Sequence, residues 1–131
     1  MLSSELSSGL APALVVIGRV LLGCLFVAGG LRHLTIFAAI GKDMARRRVP
    51  FPRFALATGT AFQITAGTLL ILGMFVVPAA LGLIVFTIAA TVMMLNFWNM
   101  EGETRAWAVN NWLSNIGIVG GLLLAAAHSL A

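Results

Sequence analysis

The chain has 131 residues, 60% of them hydrophobic and 9% charged, with a mean hydropathy of +1.05. A water-soluble domain of this length has too much surface to hide so much apolar material, so the solvent around most of the chain is lipid. A net charge of +4 in so apolar a chain marks a membrane face rather than a nucleic-acid partner, and the single cysteine, Cys24, excludes an intrachain disulfide or a CxxC relay.

The apolar run from Pro12 to Leu31, broken only by Arg19, predicts a first helix at about 12–34. Nothing basic precedes it, so it reads as a span rather than a cleaved signal peptide. In the following segment, "TIFAAIGKDMARRRVPFPRF", Ile36, Phe37, Ile40 and Met44 recur at helical spacing ahead of a basic run. This predicts a short interfacial helix with Arg46, Arg47 and Arg48 near lipid headgroups. From Phe54 to Trp98 there is no charge at all. One helix of that length would reach roughly 67 Å, about twice a bilayer, so the run must fold back. Gly73 and Pro78 supply a stop and a restart, giving helices at about 54–72 and 78–98 joined by an apolar turn from Met74 to Val77. An apolar turn at that place is also a candidate contact for a partner. Trp112 to Leu130 predicts a last helix at about 111–130. The fold class is all-α integral membrane: one domain over 1–131, an antiparallel bundle of four transmembrane helices with a short interfacial helix between the first two.

Arg32, Lys42, Arg46, Arg47, Arg48, Arg53 and Arg105 all fall on one face of such a bundle, while the tails and the Met74 turn carry no Lys or Arg. Positive loops stay on the cytoplasmic side, which predicts both termini outside a bacterial-type plasma (inner) membrane.

The stretch "NFWNMEGETRAWAVNNWLSN", residues 96–115, holds every tryptophan and every asparagine of the chain. Trp98, Trp107 and Trp112 fit the headgroup depth, where indole rings anchor. Asn99, Asn110 and Asn111 fit caps or turns in water. Asn96 and Asn115 fall inside the predicted helices near the basic face, and Gln63 lies at a similar depth in the second helix. An amide in lipid needs a partner. Gln63, Asn96 and Asn115, ringed by Trp98 and Trp112, are therefore a candidate cofactor site for a quinone or lipid headgroup: amides donate to carbonyl oxygens without titrating, and indoles offer stacking walls. The competing reading is that the amides bond to one another or to helix backbones.

Arg19 is the one charge well inside a span, either snorkelling to headgroups or facing the bundle or an anionic partner group. Gly117, Gly121 and Ala125 recur every four residues in the last helix, as Ala57 and Ala61 do in the second, and let helices approach closely, within the chain or between copies of it. The two histidines, His33 and His128, fall at opposite ends of the bundle, so a bis-His haem within one chain is excluded by this placement. No metal-ligand cluster and no catalytic Ser-His-acid or Cys-His set can be assembled.

The ordered series "GRVLLGCLFVAGGLRHL", "MARRRVPFP", "FQITAGTLLILG", "NFW" and "NWLSNIGIVGGLLL", spanning residues 18–124, resembles the DoxX family of small four-helix membrane proteins. The resemblance implies membership in membrane oxidoreductase assemblies, including a small-subunit role in thiosulfate:quinone oxidation and a membrane-anchored partnership with oxidative-stress enzymes. The chain departs from the family pattern at Gln63, Leu95 and Ser114, where members often carry an acid, a His and a Lys. All three positions are neutral here, which favours binding and packing by amides over proton-coupled chemistry. The expectation is a non-catalytic subunit of a membrane oxidoreductase complex, anchoring it or lining a quinone path, with lipid and other membrane subunits as partners. The alternative is a free-standing interaction or lipid-binding protein without a redox role.

Overall fold

The computed structural model describes residues 2–131 and is helical throughout, with no strand among the described residues. Helix α1 spans Leu2–Thr35, α2 Phe37–Arg46, α3 Pro52–Leu72, α4 Val76–Met94 and α5 Gly102–Leu130, with a one-turn 3-10 helix at Phe97–Asn99. The segments Leu6–Thr35, Pro52–Leu72, Val76–Asn99 and Gly102–Leu130 are each long and apolar enough to cross a bilayer. The four long helices alternate in direction. One end of the bundle holds α2, the 3-10 helix and the start of α5, and is the basic end. The other is the turn end, where α3 passes into α4.

The pairing of α1 with α3 is built on missing side chains. A Cβ at Gly23 would lie 2.5 Å from the Gly67 carbonyl oxygen, and one at Gly67 would lie 2.9 Å from the Gly23 carbonyl oxygen. Seven residues further along α1, a Cβ at Gly30 would lie 2.5 Å from the Ile64 side chain and 3.6 Å from the Thr60 carbonyl oxygen. In lipid there is no hydrophobic force between apolar helices, so such close backbone approach supplies the dispersion contacts that hold them. The α3–α4 pair interlocks by a different exchange, in which Phe62 lies over Gly82 and Phe86 over Gly59. Leu70, Leu83 and Leu122, from α3, α4 and α5, are fully buried and centre an apolar core with Phe26, Ala66 and Ala80. Toward the basic end the buried side chains turn polar: Thr60, Gln63, Thr87 and Thr91.

Helix α3 ends at Gly73, whose φ of +74° suits glycine; its N–H bonds the Leu70 carbonyl and the Met74 N–H bonds that of Leu69. This double closure satisfies carbonyls that would otherwise face lipid. Phe75 then takes a left-handed conformation and α4 begins at Val76, so Pro78 sits in its first turn, where no N–H is needed.

Three helix boundaries differ from those read in the sequence. Helix α1 starts ten residues before Pro12, which lies inside it, with Leu6, Leu10 and Leu14 continuing one face. Pro12 removes one backbone bond three turns into α1, and the helix continues through it. Helix α5 starts at Gly102 instead of about 111, because Glu103, Arg105 and Ala106 favour helix and an acid suits the first turn. Helix α4 stops at Met94 instead of about 98, which leaves Asn96 and Trp98 outside it.

The glycine contacts give a sharp expectation. In Gly23→Ala the new methyl meets backbone that cannot swing aside, so unfolding in detergent should show a loss of about 1–3 kcal/mol. In Gly117→Ala the methyl meets nothing within 4 Å, and stability should stay within about 0.5 kcal/mol.

Candidate functional site

Between α4 and α5, toward the basic end, lies a groove of about 230 Å³. Its walls are Ile88, Val92, Ile116 and Val119, and its polar edge is formed by Thr87, Thr91, Trp112 and Asn115. The edge is ordered by a relay. Asn115 Nδ2 donates to Thr91 Oγ1 at 2.8 Å, and the Thr91 hydroxyl donates to the Thr87 carbonyl at 2.6 Å. Among the described residues, the second N–H of the Asn115 amide and its carbonyl oxygen are in no hydrogen bond.

Trp112 closes the top of the groove because its Nε1 donates to the Leu95 carbonyl at 2.6 Å. Its ring packs edge-on to Phe97 (5.6 Å between centroids) and to Trp98 (6.3 Å), and Phe97 and Trp98 lie 5.4 Å apart. The Arg105 guanidinium stands 5.7 Å from the centre of the Phe97 ring. The three rings contact one another in edge-to-face geometry, so they form a plug at the end of α4 rather than an open cage.

The three amides grouped in the sequence reading do not share one pocket. Asn115 lines the α4–α5 groove. Asn96 accepts a hydrogen bond from Arg47 Nη1, and the same Nη1 donates to the Met93 carbonyl at 3.2 Å. Gln63 is buried between α1 and α3, where its Nε2 donates to the Phe26 carbonyl at 3.0 Å against the open flank of Gly29. Its Oε1 is buried without a partner. One turn away the Thr60 hydroxyl and His33 Nδ1 stand 3.4 Å apart.

Of the three consecutive arginines, Arg46 and Arg48 are exposed beside exposed Lys42, whereas Arg47 turns inward and pairs with Asp43 at 3.1 Å. Arg47 thus ties α2 to the end of α4, a role with no sequence signal beyond the i, i+4 spacing from Asp43. At the turn end Arg19 Nε donates to the Leu70 carbonyl at 2.8 Å. In α5, Gly121 rests against Leu22, Ala125 packs at the edge of the core, and Gly117 has open space beside it. The contacts that sequence reasoning missed are the Gly23–Gly67 and Gly30–Thr60 approaches. Their signal was a matched seven-residue spacing of small residues on two helices.

Among the described residues no three His, Cys, Asp or Glu side chains converge as metal ligands. What the site offers is hydrogen bonding and stacking: one amide, two hydroxyls and an indole at the rim of an apolar groove.

These features define a four-span integral membrane protein whose polar side chains hydrogen-bond across its helices. The chain belongs to the DoxX family, which it matches over residues 14–96. It is similar to the "Inner membrane protein YphA" of Escherichia coli (strain K12), with 28% identity over 115 residues, covering 88% of this chain and 82% of that protein. No solved structure matches it.

Trp112→Phe keeps the ring and removes the donor to the Leu95 carbonyl. Thermal unfolding in detergent should show a loss of about 1 kcal/mol, with indole fluorescence from Trp98 shifted to longer wavelength as the plug loosens.

Proposed function

We propose that this chain is a non-catalytic subunit of an oxidoreductase complex in the inner membrane, with both termini on the outer side, and that the α4–α5 groove seats the head of a quinone. The single observation that carries this reading is the unspent Asn115 amide N–H at the polar edge of the groove. A quinone needs a donor for a carbonyl oxygen, an aromatic wall and an apolar channel for its tail. Asn115, Trp112 and the Ile88–Val92–Ile116 wall meet these needs on one face open to lipid. Gln63, Asn96 and Trp98 lie outside the groove, so one quinone carbonyl is held by this chain and the other is left to a neighbouring subunit. Neither the amide nor the hydroxyls titrate, so protons for quinone reduction must come from that neighbour as well. The family membership and the name of the inner-membrane relative support the location.

The alternative, a free-standing lipid-binding protein, is favoured by the exposed cations Lys42, Arg46 and Arg48 at the basic end. One experiment separates the two. Purified from native membranes in mild detergent, the protein should carry neighbouring subunits and bound quinone, and Asn115→Leu should lower the quinone content about tenfold while leaving assembly intact. A lone protein with no quinone, or a quinone content indifferent to Asn115→Leu, would point to the lipid-binding role.

A further inference from the structure

We infer that Arg19 forms an anion site at the turn end of the bundle, and that the group it binds is the phosphate of a phospholipid in the leaflet that meets the α3–α4 turn. The guanidinium is only half committed. Its Nε donates to the Leu70 carbonyl, while Nη1 and Nη2 make no hydrogen bond among the described residues. They lie where a side chain at residue 73 would be, since a Cβ built on Gly73 would stand 2.8 Å from Nη2 and 3.5 Å from Nη1. Glycine at this position thus serves the helix stop and the seat of the cation together. The Nε bond and the slot at Gly73 fix the fork, leaving its terminal N–H groups available in the planar arrangement that suits two oxygens of one phosphate.

Among the described residues no carboxylate pairs with Arg19. Asp43 is paired with Arg47 at the basic end, and Glu101 and Glu103 begin α5 at that same end. A guanidinium in an apolar setting without a partner is costly, so its anion comes from outside the chain. The surroundings identify the source. Leu72, Met74 and Phe75 are 62%, 51% and 68% exposed around the turn, an apolar rim that suits acyl chains and glycerol. A free aqueous anion would gain nothing from that rim and would have to cross it.

The test uses the protein in nanodiscs carrying a trace of phosphatidylglycerol with a photoreactive group beside its headgroup, and in parallel a neutral galactolipid with the same group. The phospholipid should label the peptide around residues 69–77 about tenfold more than the galactolipid. Millimolar inorganic phosphate should not compete. Arg19→Gln should abolish the preference, and Arg19→Lys, which keeps the charge and loses the fork, should retain part of it. Equal labelling by the two lipids, or displacement by inorganic phosphate, would overturn the assignment. Both comparisons are made on the unaltered chain and decide the question even if Arg19→Gln fails to fold. Full labelling that survives Arg19→Gln would overturn it too.

Discussion

The last carbonyls of a helix have no intrahelical partner, and in lipid there is no water to satisfy them. Leaving one such group bare in hydrocarbon costs several kcal/mol. This protein adds to the backbone bonds at its helix ends with long side chains from other helices, and those ties organise the bundle. Arg19 of α1 reaches the end of α3, while Arg47 and Trp112 reach the end of α4 from α2 and α5. Each closure is also a tie between elements that are distant in sequence. An arginine at the centre of a span costs about 2.5–3.5 kcal/mol on insertion scales, less near a boundary where it can reach polar groups. The Leu70 carbonyl already accepts the Gly73 N–H, so the Arg19 bond is a second bond to it, and the cation there also interacts with the negative end of the helix dipole, which offsets part of its own burial.

The same constraint determines which polar groups are left for binding. Arg47 and Asn96 are consumed in holding α2 against α4, and the indole N–H of Trp112 is consumed at Leu95. Gln63 spends its N–H on the backbone of α1. Besides the buried Gln63 Oε1 and the exposed cations of the basic end, what remains is Asn115 at the α4–α5 groove and the outer half of the Arg19 fork. The first is neutral and suits a carbonyl; the second is cationic and suits an anion. Both are partly exposed on the surface of the bundle, where an amphiphile can place its head without leaving its tail unsolvated.

The four spans and the short helix between the first two were legible in the sequence because hydropathy reports contact with lipid over about twenty residues at a time. Hydropathy does not report where a helix stops. Helices α1 and α5 continue as polar helix, through Ser3 to Ala11 and from Gly102 to Asn111, so their starts were read ten and nine residues late. Depth was legible but rotation was not. Gln63 and Asn115 both lie near the middle of their helices, yet they face different neighbours, because helices apolar on every side carry no stripe to show which face turns inward. The DoxX fold was legible from the order of short segments, none of which is specific alone. The inward turn of Arg47, between two outward-facing arginines, depends on the geometry at the end of α4 and leaves no trace in composition.

The account rests most heavily on side-chain closure of helix ends within the membrane, and Arg19 is its cleanest instance. Solid-state NMR on the protein in lipid bilayers, with isotope labels on arginine side-chain nitrogens and leucine carbonyl carbons, measures that contact directly. Only Arg19 among the described arginines bonds a leucine carbonyl. The prediction is one immobile arginine Nε resonance coupled to a leucine carbonyl across a hydrogen bond, absent in Arg19→Lys. If every arginine side chain is mobile and uncoupled from leucine carbonyls, the helix ends are closed by some other means and the account is wrong.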